Sequence, residues 1–410
     1  MKSEQGVATA AVRPVVWIAL ITCMGVGPLF LYSLSSVSAV VIDDLGLTSA
    51  QFGSIATMTF LSAAACSALF GRWADRVRST HALMAISLGS GAGLVLAGLA
   101  PSYGWILLAA IACGVAQSMS NPATNRFVGT LDRAPTGSLI GWKQSGVQMS
   151  QLVAGLSVPA LTVLFDWRIA IAGGALFAVV GVASGLALPT GSSSAPGRSR
   201  AASSGLGPGV WALTIYTYFI GLGLAAVNTY LPLYAFEELG FSLSAAGLTA
   251  AMIGLVGLVS RIWWGRRTDA GARLGPVLVL LGVGSLAGAA IVASAQWGSS
   301  GLVWLGAGVF GASALAANSV TMVSLLTLAP TGLVGAASGV LSTGLYLGFA
   351  SGPVTFGLVL DHSSYAVAWA VPCAAFAVAT TGAVLCLRRL DPAGKPSSSH
   401  VVSGSTPEKG

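Results

Sequence analysis

The chain has 410 residues, 55% hydrophobic and only 8% charged, with a mean hydropathy of +0.83 and a formal net charge of +7. A water-soluble domain carries about a quarter of its residues charged, so this composition excludes an ordinary soluble enzyme or binding module. Apolar windows of about 20 residues recur along nearly the whole length, each long enough to cross a bilayer as a helix.

Twelve such windows are predicted in chain order. The first, 15–41, follows Lys2 and Arg13. It is too long for a secretory signal and has no small-residue cleavage site, so it reads as a membrane helix, with Tyr32 its one large polar aromatic. The second, 50–70, leads into Gly71-Arg72-Trp73-Ala74-Asp75-Arg76, and the third covers 80–100. The fourth, 104–127, carries Gln117, Asn121 and Asn125 at helical spacing, one polar stripe with Arg126 at its end. The fifth, 138–165, holds Gln144, Gln148 and Gln151 on one face and Lys143 one position round. Lys143 admits two readings, attraction of an anion or snorkelling to the surface. The sixth covers 168–188.

A Ser/Gly/Pro/Ala-rich stretch from 189 to 209 then reads as a flexible linker. Beyond it come 210–236 with Asn228, 243–264 with Arg261, 275–295, 302–328 with Asn318, 333–360 with Ser338, Ser342 and Tyr346, and 365–388. The polar end, 389–410, has the composition of a disordered tail. The expected organisation is a tail over 1–14, a six-helix bundle over 15–188, the linker, a second bundle over 210–388 and the final tail.

The two bundles are copies of one another. Asp44-Leu45-Gly46, Gly53 and Gly71-Arg72-Trp73-Ala74-Asp75 recur 194 residues later as Glu238-Leu239-Gly240, Gly247 and Gly265-Arg266-Arg267-Thr268-Asp269. Ala134-Pro135-Thr136-Gly137 recurs as Ala329-Pro330-Thr331-Gly332, and Asp166 after the fifth helix corresponds to Asp361 after the eleventh. Equivalent connections fall on the same side, so the repeat is parallel. Nearly every Lys and Arg outside the spans lies on the side of the termini, and only Arg168 lies opposite. By the positive-inside rule both termini are cytoplasmic, which accounts for the net charge without any nucleic-acid partner. The five cysteines all lie in apolar spans and show no metal-ligand spacing, so neither a disulfide framework nor a metal site is expected.

At Gly71-Arg72-Trp73-Ala74-Asp75-Arg76 the chain resembles the major facilitator superfamily, whose signature there runs Gly-x-x-x-Asp-Arg-x-Gly-basic-basic. The resemblance extends over residues 10–390 through the twelve helices, the 6+6 repeat and the central linker. Arg78, Ser79 and Thr80 stand where the family prefers Gly and two basic residues, and in the second copy Ala270 replaces the first Arg. The resemblance implies a latch that holds the cytoplasmic side shut, formed by Gly71, Arg72, Asp75, Arg76 and Arg78 and by Gly265, Arg266, Asp269 and Arg273. The two glycines would allow close helix approach, and the aspartates would cap a helix or pair with an arginine.

It also implies that the first, fourth, seventh and tenth helices line a cavity, which gives Tyr32, Gln117, Asn121, Asn125, Asn228 and Asn318 as candidate contacts. Lys143, Gln144, Gln148, Ser342 and Tyr346 join them from the repeated fifth and eleventh helices. Lys143-Gln144-Ser145-Gly146 resembles branches that move small organic anions, such as cyanate permease-like proteins. Arg261 resembles a functional arginine of monocarboxylate carriers, although the aspartate they place a turn earlier is Gly257 here; a role in the latch is the other reading of Arg261.

None of the twelve acidic residues falls inside a span, and His81, His362 and His400 all lie outside the bilayer core, so the buried carboxylates or histidines of proton-coupled drug exporters are missing. The cations near the membrane, Arg126, Lys143 and Arg261, favour an anionic cargo, and an acid can bring its own proton. The expectation is a multi-pass transporter of the inner, plasma membrane, monomeric in the lipid bilayer, working without cofactor, catalytic residue or metal. It would move a small organic anion such as a monocarboxylate by alternating access. The alternative is an exporter of drugs or other small molecules built on the same fold.

Overall fold

The computed structural model describes residues 14–74, 77–129, 136–188, 206–269, 273–330 and 333–387. Among these there is no strand, and twelve helices follow one another in the predicted order. In the first half, α1 is Pro14–Ser36 continued by Ser38–Leu45, α2 is Ser49–Ala74 and α3 is Ser79–Gly98. Then α4 is Tyr103–Ser118 continued by Ser120–Gly129, α5 is Thr136–Leu164, and α6 is Trp167–Gly173 continued by Ala175–Leu186. In the second half, α7 is Pro208–Glu237, α8 Leu243–Asp269, α9 Leu274–Ser294, α10 Leu302–Leu328 and α11 Val334–His362. Finally, α12 is Tyr365–Ala368 and Ala370–Gly382, closing with a π turn over Ala383–Leu387.

Eleven of the twelve are long and apolar enough, in their described residues, to cross a bilayer; α2 is 26 residues long. Leu88, Leu176, Leu186 and Leu326 are each more than half exposed, as expected for side chains that meet lipid instead of a partner helix.

Two breaks follow from proline. Pro122 has no N–H to give the carbonyl of Ser118, so α4 breaks at Met119, whose own N–H bonds the Ala116 carbonyl at 3.3 Å. Pro372 breaks α12 at Trp369 in the same way. The repeat is visible in the backbone after these helices: Gly46, the cap of α1, has φ 60°, and Gly240, two residues past the Glu238 cap of α7, has φ 68°, left-handed positions that favour glycine.

Within the halves, α1 packs on α5 and α7 on α11. A Cβ at Gly146 would stand 2.2 Å from the Ile21 carbonyl oxygen, and one at Gly348 would stand 2.2 Å from that of Tyr218. Small residues of this kind let membrane helices touch backbone to backbone.

Between the halves, α2 meets α11 and α5 meets α8. These two seams are pseudo-symmetric. Gly53 of α2 lies against Pro353 of α11, its Cβ position 2.4 Å from the proline carbonyl oxygen, and Gly247 of α8 lies against Pro159 of α5, its Cβ position 2.3 Å from Cγ. Both the glycines and the prolines are separated by 194 residues.

The seams close the end of the bundle at which α1 stops and α2 starts, called here the far end. Ser35 donates to the carbonyls of Asn228 and Thr229 at 2.6 and 2.9 Å, Thr57 to that of Ala350 at 2.5 Å, and Tyr230 to that of Ser49 at 2.6 Å. The Asp361 carboxylate, at the end of α11, accepts the N–H groups of Ser49 at 2.7 Å and Ala50 at 2.9 Å. It thereby caps the N-terminus of a helix belonging to the other half.

Its repeat partner does something else. Asp166 caps its own following helix, α6, by accepting the Arg168 N–H at 2.7 Å. Asp44 pairs with Arg168 at 2.7 Å within the first half. The pseudo-symmetric far end therefore has an asymmetric latch.

Candidate solute site between the halves

The polar residues singled out in the sequence do not form isolated stripes; several are joined in a column that starts near the end bearing the termini and runs to the far-end seal. Lys143 is 1% exposed. It has turned inward from α5 to α4, where its Nζ donates to Thr124 Oγ1 at 3.1 Å, to Asn121 Oδ1 at 3.4 Å and to Asn125 Oδ1. Snorkelling to the surface is thus corrected: the helix face directs the chain into the bundle, and α4 supplies three oxygens to hold it. Thr124 was missed in the sequence, although it lies between Asn121 and Asn125, three residues after the first and next to the second.

Opposite, Arg261 of α8 donates through Nε to the Leu315 carbonyl at 3.1 Å and through Nη1 to the Gln144 carbonyl at 3.4 Å. Gln144 follows Lys143 directly, so Arg261 of the second half bonds the α5 backbone one residue from Lys143, whose ammonium points to α4. With a rise of 1.5 Å per residue, Lys143 lies about 10 Å and Arg261 about 12 Å along their helices from the end near the termini. Among the described residues no carboxylate pairs with either; their acceptors are amide, hydroxyl and carbonyl oxygens. Tyr32 of α1 is close enough to Arg261 for the two to interact electrostatically. Gly257, one turn before Arg261, has no room for a side chain, because a Cβ there would stand 2.0 Å from Leu315 Cδ1.

One turn deeper, Gln148 is fully buried and neither its Oε1 nor its Nε2 has a partner among the described residues. Gln151, also fully buried, donates to Asn228 Oδ1 at 3.0 Å and leaves its own Oε1 unpartnered. A buried unpaired polar group costs about 1–3 kcal/mol, so these amides hold substantial unused bonding capacity. Asn228 closes the column, since its carbonyl is the acceptor of the Ser35 seal.

The break at Met119 splits the α4 stripe. Gln117 sits above it, close to Gly27 and with its Oε1 buried and unpartnered, while Asn121 and Asn125 sit below it and are exposed. The i, i+4, i+8 spacing hid this, because Pro122 interrupts the helix in the middle. On α11, Tyr346 stacks on Phe60 of α2 at 6.2 Å and lies within hydrogen-bonding reach of Asn121. Asn318 and Ser342 are half-buried, and no hydrogen bond among the described residues joins them to the column.

The second group of sequence candidates is less fully described. Asp75 and Arg76, and the side chains of Gly71, Arg72 and Asp269, lie outside the described residues. Arg78, Arg266 and Arg273 are exposed. A Cβ at Gly265 would meet nothing within 4 Å among the described residues. The neighbouring Arg267, outside the sequence candidates, stacks over Trp263 at 4.9 Å.

The family model described as Major Facilitator Superfamily matches residues 15–353. The chain belongs to the major facilitator superfamily. Members of this superfamily are membrane transporters of small solutes, and this chain is a multi-pass transporter of that kind.

Its fold is shared with solved structures at low sequence identity. A bacterial homologue of the human lysosomal transporter Spinster, inward-facing and occupied, is 18% identical with a TM-score of 0.65, covering 92% of this chain and 98% of that one. The nucleoside transporter NupG is 15% identical with a TM-score of 0.72, covering 91% and 98%. Comparison with curated proteins by sequence gives no match.

Proposed function

We propose that this superfamily member carries a small organic anion, with a monocarboxylate as the simplest case, across the plasma membrane by alternating access. In this reading the termini are cytoplasmic, the far end faces outward, and the conformation described is closed to the outside. The two six-helix halves rock about the polar column, opening it to one side at a time. The remaining latch residues, Asp75 and Arg76 among them, would close the cytoplasmic side in the other state.

The observation that carries the anion reading is the pair Lys143 and Arg261. Ionised side chains inside a membrane protein are costly and face a partner, a cavity or a path. Here Lys143 of α5 and Arg261 of α8, one from each half and linked through adjacent residues of α5, meet only neutral oxygens among the described residues. A carboxylate lying between them would bond to both halves at once, and that shared contact would couple binding to closure. Among the described residues the column has no acidic side chain to attract a cationic drug. Charge neutralisation by a proton carried with the acid would ease movement of the loaded protein, and anion flux would then depend on a pH gradient.

The test is a thermal-shift screen of the purified protein against organic acids, sugars, nucleosides, amino acids and cationic drugs. A ligand that binds only the folded state raises its stability in proportion to the logarithm of its saturation. Organic acids should raise the melting temperature, and Lys143→Gln and Arg261→Gln should each abolish that rise. Stabilisation by cationic drugs alone, unchanged in both variants, would overturn the proposal.

A further inference from the structure

The anion reading uses only the cationic end of the column and leaves the amides unexplained. Gln148 is completely buried where α5 meets α8, beside a Gly254 backbone that a Cβ would bring within 3.0 Å of the Gln148 carbonyl oxygen. Apolar side chains dominate such seams, and a glutamine there with both amide atoms unpartnered is unfavourable unless something else completes it. Gln151, almost one turn further on the same face, leaves a second acceptor free. One of its two amide N–H groups goes to Asn228, a residue of the opposite half. Together these side chains offer two buried acceptors and one buried donor, next to the cation pair and between the two halves.

We propose that Gln148 and Gln151, held in place by Asn228, form a hydrogen-bonding subsite for a donor-bearing polar group of the solute. The cargo is then an organic anion that carries a hydroxyl or N–H group at the end away from its carboxylate, such as a hydroxy acid, in preference to a plain aliphatic acid. The carboxylate lies toward Lys143 and Arg261, and the donor group reaches the glutamine acceptors about one to two turns deeper along α5. This proposal rests on the anion reading for the position of the carboxylate, whereas the amide subsite stands on its own geometry.

Matched probes separate the two ideas. Equilibrium binding to the purified full chain should be measured for 3-hydroxybutyrate against butyrate, with the uncharged nucleoside uridine as a third probe. The proteins are the wild type, Gln148→Leu and Lys143→Gln. The hydroxylated acid should bind the wild type about tenfold more tightly than butyrate, the difference one net hydrogen bond makes. In Gln148→Leu that ratio should fall to about one with butyrate binding retained, while Lys143→Gln should lose both acids. Removing an unpartnered buried amide should also raise the melting temperature of the ligand-free Gln148→Leu protein.

Equal affinity for the two acids in the wild type would overturn the subsite and leave the anion reading intact. So would a lowered melting temperature in Gln148→Leu together with an unchanged ratio, which would make Gln148 a structural residue. Uridine binding that is lost in Gln148→Leu yet unaffected by Lys143→Gln would keep the subsite and overturn the anion reading. Failure of all three probes to bind the wild type would overturn both.

Discussion

Removing the Asp361 carboxylate should open the far end, by an amount that follows from its two bonds. Its oxygens accept from Ser49 N–H at 2.7 Å and Ala50 N–H at 2.9 Å, the first free amides of α2, more than 300 residues away in sequence. A side-chain N-cap contributes about 1 kcal/mol, and a negative charge at an exposed helix N-terminus adds about 0.3–1 kcal/mol. Asp361 is exposed, so the lower part of the charge range applies, and the latch is worth about 1.5 kcal/mol. Loss of that amount shifts the ratio of far-end-open to far-end-closed molecules about tenfold. Asp361→Ala should show the whole shift. Asp361→Asn, which keeps one capping acceptor and loses the charge, should show about a threefold shift.

The reporter is a single cysteine at Thr57, whose hydroxyl bonds the Ala350 carbonyl across the seam, placed in a background with the five native cysteines replaced. Its rate of labelling by a membrane-impermeant maleimide measures the open population. Asp166→Ala is the internal control, because Asp166 caps its own helix and makes no hydrogen bond or ion pair across the seam among the described residues. An unchanged rate in Asp361→Ala, or an equal increase in Asp166→Ala, would refute the asymmetric latch.

Three further outcomes are expected. Gly53→Ala and Gly247→Ala each place a Cβ inside 2.5 Å of a proline on the other half, so both should prevent far-end closure and abolish solute uptake by proteoliposomes. Gly104→Ala, which meets nothing within 4 Å, should retain uptake, and loss in all three would contradict the seam account. Lys143→Met should melt at or above the wild-type temperature in the absence of ligand, since it removes a buried charge that has no carboxylate partner among the described residues; a fall of many degrees would make Lys143 a structural residue. Gly46→Ala and Gly240→Ala force a side chain into left-handed backbone and should each destabilise by about 1 kcal/mol, measured by thermal unfolding. Gly104→Ala, at a position with open space, should not destabilise by this amount.

Much of this architecture was legible because membrane insertion constrains composition strongly. Apolar windows gave all twelve helices, and the 194-residue repeat gave their pairing into halves. The repeat was real at the level of conformation too: Gly46 and Gly240 share a left-handed backbone, and Gly53 and Gly247 occupy matching seams. The repeat could not reveal where the copies had diverged. Asp166 and Asp361 match in sequence, yet one caps locally and the other across the halves, because their surroundings decide which N–H groups come within reach.

The site was legible in part for a similar reason. Residue type identified Lys143, Arg261 and the glutamines, since polar groups in apolar spans are few. Spacing alone misplaced Gln117 in a continuous stripe with Asn121 and Asn125, because Pro122 breaks α4 between them. Direction was equally hidden. Lys143 turns toward Thr124 and α4, and Arg261 reaches the backbone of α5, choices made by tertiary packing and not by periodicity. Asn228 gained its place in the column only through Gln151, a pairing between halves that no local pattern contains.

The central claim is that two cations from opposite halves bind one organic anion between them. Its most direct measurement is flux of a labelled organic acid into proteoliposomes containing wild type, Lys143→Gln or Arg261→Gln. Saturable uptake by the wild type, reduced at least tenfold in each variant, is the predicted result. Uptake that is unchanged in both variants, or restricted to cationic solutes, would contradict it.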